Sequence, residues 1–297
     1  MKALSDQHSV KKLCEVLDVS RSACCRERGT GKRAEEDAVL FEEIEQVFNE
    51  HRERYGSPRI HAELLRKGIR CGENRVARLM RENGLHAVVP KRKAPLTTDS
   101  RHGGPIAPNL LKTMKVWRAN QAWAMDITYI WAGKRWVYLA AVLDLHLHKI
   151  AGWAVSKSLQ SGLVTNALNQ ALVRQGYPEG VTVHSDRGVQ YASKEFIELV
   201  EALGYTRSMS AKGNCYDNAT MESFFGVLKR EEMDRWEFAS LQDVRNHVFD
   251  YIETYYNRKR IHTTIGMPPE EFEALEKARL QGDSMNVPTP AEVCYEV

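Results

Sequence analysis

The sequence lacks several features that define common protein classes. No apolar run approaches the roughly 18 residues of a membrane helix, and the first residues show no signal-peptide pattern. None of the six cysteines forms a CxxC pair, which argues against a zinc site. No serine or tyrosine stands out as a covalent nucleophile. These absences predict a cytoplasmic protein whose thiols are reduced.

Charge is small overall but unevenly distributed. The 297 residues carry a formal net charge of +3. Residues 1–120 hold 24 Lys and Arg against 16 Asp and Glu, whereas the remainder hold 18 against 23. Because Lys and Arg bind phosphates, the basic first part predicts contacts with nucleic acid. The length and a hydrophobic content of 43% predict two or three domains with real cores.

The first domain, residues 1–52, is predicted to be helical. Two short helices are expected within residues 8–28, joined by a turn at 17–20. This pattern fits either a helix-turn-helix or a helical hairpin without a DNA role. Residues 34–51 predict an amphipathic helix that serves packing or assembly rather than DNA contact.

Residues 53–86 predict a helix-turn-helix module that binds DNA. Ser57 is the expected N-cap of its first helix, and Gly68 and Gly84 end the two helices. The expected core consists of Ile60, Leu64, Val76, Leu79 and Met80. The arginines left on the outer face are Arg59, Arg66, Arg75, Arg78 and Arg81. The alternative for this face is a solvated charged surface.

A linker is predicted over residues 87–118, where prolines and glycines interrupt regular elements. Its basic cluster is Lys91, Arg92 and Lys93. Such a segment either follows a DNA backbone or serves as a plain tether.

An α/β core is predicted over residues 119–275, followed by a tail over 276–297. Its expected strands are 123–130, 136–144, 149–156, 181–186 and 204–210. Its expected helices are 161–175, 193–203 and one beginning near residue 218. The order βββαβαβα is that of the ribonuclease-H-like fold, a mixed sheet with helices on both faces. A further helix is expected within 241–273.

Three acids occupy informative places in this pattern. Asp126 lies in an apolar, buried strand, Asp186 ends the fourth strand, and Glu222 lies near the start of a helix. Three carboxylates from three elements can hold Mg²⁺ or Mn²⁺. Without cations they would repel one another, and at least one would tend to protonate. Asp144 is a rival fourth carboxylate, although a turn-capping role is favoured.

The helix that carries Glu222 also has a distinctive polar side. Lys229 follows Glu222 by seven residues, which returns it to nearly the same side of the helix. Gly226 lies between them and removes bulk. The opposite stripe, expected to be buried, consists of Met221, Phe224, Phe225 and Leu228. An ordinary surface Glu and Lys is the alternative interpretation.

Taken together, these motifs resemble the IS3 family of bacterial insertion-sequence transposases, in particular the product of their second reading frame. The matching segments, in order, are WAMDITYI, YLAAVLDLHLHKIAGWAVS, VHSDRGVQYAS, SAKGNCYDNATMESFFGVLKRE and YNRKRIHTTIGMPPEEF. The resemblance extends from about Tyr55 to Phe272. It implies a retroviral-integrase-like core in which Asp126, Asp186 and Glu222 form a DDE triad with two Mg²⁺ or Mn²⁺ ions.

The resemblance also implies a location, a reaction and partners. The protein is expected in the bacterial cytoplasm, nucleoid-associated when bound to DNA. The expected activity is metal-dependent cleavage and strand transfer at element ends that carry terminal inverted repeats, by a homo-oligomer assembled on double-stranded DNA. In this family an upstream frame supplies another helix-turn-helix, by fusion or as a separate product. Alternatives are a nuclease without strand transfer and a catalytically silent DNA-binding regulator. Further candidate DNA contacts are Lys212, Asn214, Lys229, Arg230, Arg258, Arg260 and His262.

Overall fold

The computed structural model describes residues 9–16, 21–88, 105–210 and 218–281, without the side chains of 10, 13 and 21–32. The chain divides into two compact units, residues 1–88 and 89–297. Predictions for the turn at 17–20, for Lys91, Arg92, Lys93, Lys212 and Asn214, and for the C-terminal tail beyond residue 281 lie outside the described residues. No helix of the described residues is long and apolar enough to cross a membrane.

The first unit is helical. Its elements are α1 (Val10–Val16), α2 (Arg21–Glu50), α3 (Ser57–Arg66) and α4 (Glu73–Glu82). The prediction of a second short helix near residue 21 was wrong, because that segment is the first part of the 30-residue α2. Gly29 and Gly31 lie within α2 and do not end it, since a helical glycine costs only about 1 kcal/mol.

The pair α3–α4 has the predicted core. All five expected core residues are buried, and α2 adds a third wall with Leu40, Ile44, Val47 and Phe48. Gly68 and Gly84 adopt left-handed backbone angles just after the two helices, as expected of helix-ending glycines. Gly56 rather than Ser57 occupies the N-cap position of α3. The amphipathic half of α2 therefore serves packing, and the predicted boundary at 52/53 falls inside one packed unit.

The second unit contains a five-stranded sheet within the described residues. Its strands are β1 (Ala122–Ala132), β2 (Arg135–Asp144), β3 (Ile150–Ser156), β4 (Thr182–Ser185) and β5 (Thr206–Met209). They are arranged in the order β3-β2-β1-β4-β5. The first three strands pair antiparallel, whereas β4 and β5 pair parallel to β1 and to each other. This is the predicted ribonuclease-H-like sheet.

Helices of the second unit include α5 (Ser161–Gln175), α6 (Lys194–Ala202), α7 (Ala219–Glu231) and α8 (Leu241–Phe249). Gly152 of β3 allows α5 to approach closely, because a Cβ there would lie 2.4 Å from the carbonyl oxygen of Ala167. Helices α7 and α8 contact β1, so the sheet directly supports the helix that carries Glu222.

Two segments of this unit differ from the expectations. The stretch 105–118, predicted as part of a linker, is hydrogen-bonded to β5: Leu110 N–H donates to Ser208 Oγ at 2.9 Å, and Met209 N–H to the carbonyl of Pro108 at 3.3 Å. After α8 the chain continues as a π-helical stretch, Asp250–Tyr256, and then forms α9 (Pro269–Leu280). We had not predicted α9, whose Phe272 packs with Leu147 in a separate small core.

Candidate active site

Sheet register brings two of the predicted acids together. Met125 of β1 is paired with Ser185 of β4, and the next residues along these parallel strands are Asp126 and Asp186. Neighbouring strands lie about 4.8 Å apart, so the two aspartates occupy adjacent positions on β1 and at the end of β4. The backbone N–H of Ile127 donates to Asp126 Oδ1 at 2.7 Å, and that of Gly188 to Asp186 Oδ1 at 2.9 Å.

The surroundings of Asp126 disfavour the ionised form of its carboxyl group. Burial, together with the carboxylates of Asp186 and Glu222, raises the pKa of Asp126 to about 7, against the lowering effect of the Ile127 N–H and of Lys229. Because Glu222 and Lys229 both act on the pKa of Asp126, the two side chains lie within electrostatic range of it. At neutral pH, Asp126 is only partly ionised, and a cation would favour its charged form.

Helix α7 packs on the core along one side and exposes Glu222 on another. Met221, Phe224, Phe225 and Leu228 are all buried, as predicted, whereas Glu222 is exposed in the first turn. A Cβ built on Gly226 meets no atom within 4 Å, so the helix surface beside Glu222 is open. Asn218 occupies the N-cap position, but its side chain does not cap the helix.

No group of three or more His, Cys, Asp or Glu side chains is already gathered for a metal ion in the described part of the chain. The three acids are within electrostatic range of one another rather than in a closed coordination shell. Their chemistry nevertheless fits a hard divalent cation, because carboxylate oxygens are the ligands that Mg²⁺ and Mn²⁺ prefer.

Asp144 is occupied elsewhere, as the turn-capping prediction required. Its carboxylate accepts hydrogen bonds from the backbone N–H groups of Asn120, His146 and Leu147 at 2.6–2.9 Å. These bonds close the turn after β2 and leave Asp144 no place among the candidate metal ligands.

Arg260 is buried in the core and not exposed on a surface that DNA could contact. Only 3% of it is exposed, and its guanidinium group binds the equally buried Glu231 with bonds of 2.9–3.2 Å. The hydroxyl group of Tyr251 donates to Glu231 Oε2 at 2.9 Å, and Arg260 also lies over the ring of Tyr256. The prediction that Arg260 binds phosphate was wrong, because this network holds it inside the core.

The other candidate DNA contacts of the second unit are more accessible. Arg258 is exposed and lies 3.3 Å from Glu270, whereas the half-buried His262 stacks on His148. Lys229 is half-buried near Asp126. Arg230 is half-buried, and its Nε is buried without a hydrogen-bond partner among the described residues.

In the first unit, the predicted arginines are partly engaged. Arg75 and Arg78 each bind a separate oxygen of Asp37 at 2.6 Å, so α2 holds both guanidinium groups of α4 in place. Arg59 lies over the ring of Tyr55 at 5.5 Å. Arg81 is exposed.

Two features beside the acids were not predicted. Tyr191 is buried, its hydroxyl group has no hydrogen-bond partner among the described residues, and burial together with Asp126 and Asp186 raises its pKa. His184 of β4 is buried between the hydroxyl groups of Ser208 and Ser210. In the sequence, an aromatic residue five positions after Asp186 was the only signal for the first feature.

Comparison with known proteins identifies the family. Integrase core domain profiles match residues 117–215 and 222–276, and an HTH-like domain profile matches 34–93. The chain is 38% identical over 273 residues to the transposase InsF for insertion sequence IS3A of Escherichia coli, covering 90% of this chain and 94% of the relative. The chain belongs to the IS3 transposase family.

A second relative is also encoded by an insertion element. The insertion element IS600 uncharacterized 31 kDa protein of Shigella sonnei is 39% identical over 257 residues, which is 86% of this chain and 94% of that protein. Among solved structures, the HTLV-2 integrase catalytic core domain in complex with magnesium matches 51% of this chain and 95% of its own at 17% identity, with a TM-score of 0.41. That TM-score is too low to add to the family assignment.

Proposed function

We propose that this IS3-family transposase cuts and joins DNA strands at a site formed by Asp126, Asp186 and Glu222. The observation that carries the proposal is the sheet register, which sets Asp126 beside Asp186 while α7 brings Glu222 within electrostatic range. Three neighbouring carboxylates repel one another in isolation, whereas bound divalent cations offset this repulsion. Two Mg²⁺ or Mn²⁺ ions are the cofactor that these oxygens suit.

The chain's own residues would bind and orient the DNA. When bound, the ions supply activation of the attacking oxygen and charge neutralisation at the leaving oxygen. The three carboxylates would hold them, and the packed face of α7 fixes the position of Glu222. Gly226 leaves room for a DNA backbone, and Lys229 binds a phosphate beside the reactive one.

The proposed reaction has two steps. First, water attacks a phosphodiester at the element end: a P–O bond forms to the water oxygen, and the P–O3′ bond breaks to release a 3′-hydroxyl group. That hydroxyl group then attacks a second phosphodiester, which forms a new P–O bond and releases another 3′-hydroxyl group. No covalent bond to the protein is required.

The proposed partners are the element ends, with their terminal inverted repeats, and a target duplex. We assign duplex binding in the first unit to the arginines of α3 and α4, of which Arg75 and Arg78 are pre-oriented by Asp37. We propose a homo-oligomer assembled on paired element ends, because the reaction involves two ends and each would be bound by one copy of the chain.

The test is to incubate the purified chain with its element-end duplex and Mg²⁺, and then to size the strands under denaturing conditions. The proposal requires both nicked strands and longer, joined strands, which disappear with EDTA. Nicks without joined strands would favour a plain nuclease. Binding without either product would favour a DNA-binding regulator.

A further inference from the structure

The hairpin between β1 and β2 carries an exposed aromatic pair that the proposed chemistry does not use. Trp131 and Trp136 face each other across the two strands, with ring centroids 4.9 Å apart. They are 54% and 48% exposed, respectively. Clusters of large, exposed aromatic side chains are typical of binding sites.

These two rings continue inward as a row of aromatic side chains. Trp136 contacts Tyr129 at 6.3 Å, and Tyr129 contacts Tyr138 at 5.3 Å between ring centroids. Tyr129 lies close enough to the acids for Asp186 and Asp126 to add to the burial-driven rise of its pKa. Because side chains alternate between the two faces of a strand, this row lies on the sheet face opposite to Asp126, and its inner end, Tyr129, lies within electrostatic range of the acids.

The tip is held rigidly. Gly133 N–H donates to the carbonyl of Phe238 at 2.6 Å, and Ala132 forms a bridge with Phe238. A Cβ on Gly133 would lie only 2.8 Å from the carbonyl oxygen of Ala239, so the turn is pressed against that segment. A fixed surface binds with less loss of conformational entropy than a mobile loop does.

The charge of the tip favours nucleic acid over protein as the occupant. Lys134 and Arg135 are exposed between the two tryptophans. Residues 127–143 contain no Asp or Glu, and the adjoining segment brings Glu237, next to Phe238, and Asp243, whose carboxylate accepts from the Ala239 N–H at 3.1 Å. Aromatic faces interleaved with cations are typical of surfaces on which unpaired bases stack while the backbone is neutralised.

We infer that Trp131 and Trp136, with Lys134 and Arg135, form a stacking platform for unpaired bases of the DNA end being processed. Trp131 lies five residues beyond Asp126, which is about 17 Å along the strand, and this odd spacing puts it on the other face of the sheet, so a DNA strand would reach it by passing over the edge of β1. With a rise of about 3.4 Å per stacked nucleotide, this distance corresponds to about five nucleotides. The platform would thus hold bases that separate from their partners near the scissile phosphate. The inference rests on the proposed function, because it requires that this site acts on DNA.

The test compares binding of two probes by the full chain in EDTA, where no cleavage is required. One probe is a blunt element-end duplex, and the other has the same sequence with its last five base pairs mismatched. We expect Trp131→Ala/Trp136→Ala to raise the Kd for the mismatched probe by about 10–100-fold and the Kd for the blunt duplex by less than about 2-fold. Trp136→Phe, which keeps an aromatic face, should retain most of the affinity.

Trp117→Ala is the matched control, because Trp117 is 68% exposed outside the hairpin. It should change neither Kd. Equal Kd values of wild type and double variant for the mismatched probe would overturn the inference, as would an equal loss on both probes. A changed sedimentation coefficient without a changed Kd would point to a protein partner instead, and would also overturn it. If the double variant fails to fold, Trp131→Ala alone gives the same contrast.

Failure of the proposed function would look different. In that case wild type would give neither nicked nor joined strands with Mg²⁺, whatever the two probes show in EDTA. A normal cleavage and joining pattern with no preference for the mismatched probe would leave the proposed function intact and remove only the platform.

Discussion

The two ends of α7 carry glutamates in opposite situations. Near its start, Glu222 is exposed, faces the like charges of Asp126 and Asp186, and adjoins the open surface at Gly226. At its end, Glu231 is buried and bound by Arg260 and Tyr251. The first acid is solvated and open to a cation, whereas the second is compensated inside the protein by Arg260 and Tyr251. Surroundings, not residue type, separate a candidate ligand from a structural ion pair.

The largest effect is expected at the start of α7. Glu222→Gln, Asp126→Asn and Asp186→Asn should each reduce strand cleavage and joining by at least about 10³-fold, because each would remove the negative charge of a proposed metal ligand while keeping its shape. Product yield in Mg²⁺ is the measurement. Glu198→Gln, an exposed surface glutamate on α6, is the control and should be fully active. Near-normal activity of any one triad variant would remove that residue from the metal site.

At the other end of α7 the expected loss is in stability. Glu231→Ala or Arg260→Ala should lower the free energy of unfolding by about 3–5 kcal/mol, because each leaves a buried charge unpaired. Urea unfolding followed by circular dichroism measures this. The double variant Glu231→Met/Arg260→Leu should regain a large part of the loss. An Arg260→Ala protein that is as stable as wild type but binds DNA with a weaker salt dependence would restore the phosphate contact that we had predicted.

Asp126 predicts how stability depends on pH in EDTA. Its pKa is about 7 in the folded protein against an ordinary value of 3.8, so between these pH values the folded state binds more protons than the unfolded state. Stability contributed by this group therefore falls as pH rises from about 4 to about 7, by about 2–4 kcal/mol. Comparing wild type with Asp126→Asn by urea unfolding at pH 5 and pH 7.5 isolates this contribution. An identical pH dependence in both proteins would contradict the raised pKa.

The smallest effect concerns Lys229, which shares a helix side with Glu222. Lys229→Ala should weaken binding of element-end DNA and reduce the slope of log K against log salt by about one unit, because one phosphate contact is lost. Stability should change by less than about 0.5 kcal/mol. Lys194→Ala, an exposed lysine of α6, is the control. A slope equal to that of wild type would make Lys229 an ordinary surface residue.

Much of the second unit could be predicted because its elements have strong local signals. The strands β1 to β3 alternate or run apolar between clear turns, and α5 spans the predicted residues 161–175. The same applies to α3 and α4, whose core residues follow helical periodicity. Elements with weaker signals were missed or misjudged: α2 continues through two glycines, and α9 lies in a segment without a distinct apolar stripe.

The sequence by itself determined the order of the sheet strands and the buried stripe of α7, because periodicity is a local property of the chain, and its pattern also singled out Asp126, Asp186 and Glu222 as candidates. Only the tertiary structure decided which charges are compensated. Asp126 and Asp186 are 60 residues apart and meet through strand register, and Arg260 meets Glu231 across 29 residues inside the core. In the sequence Arg260 looks like its exposed neighbour Arg258, because the burial and partners of a charged group are set by residues far along the chain.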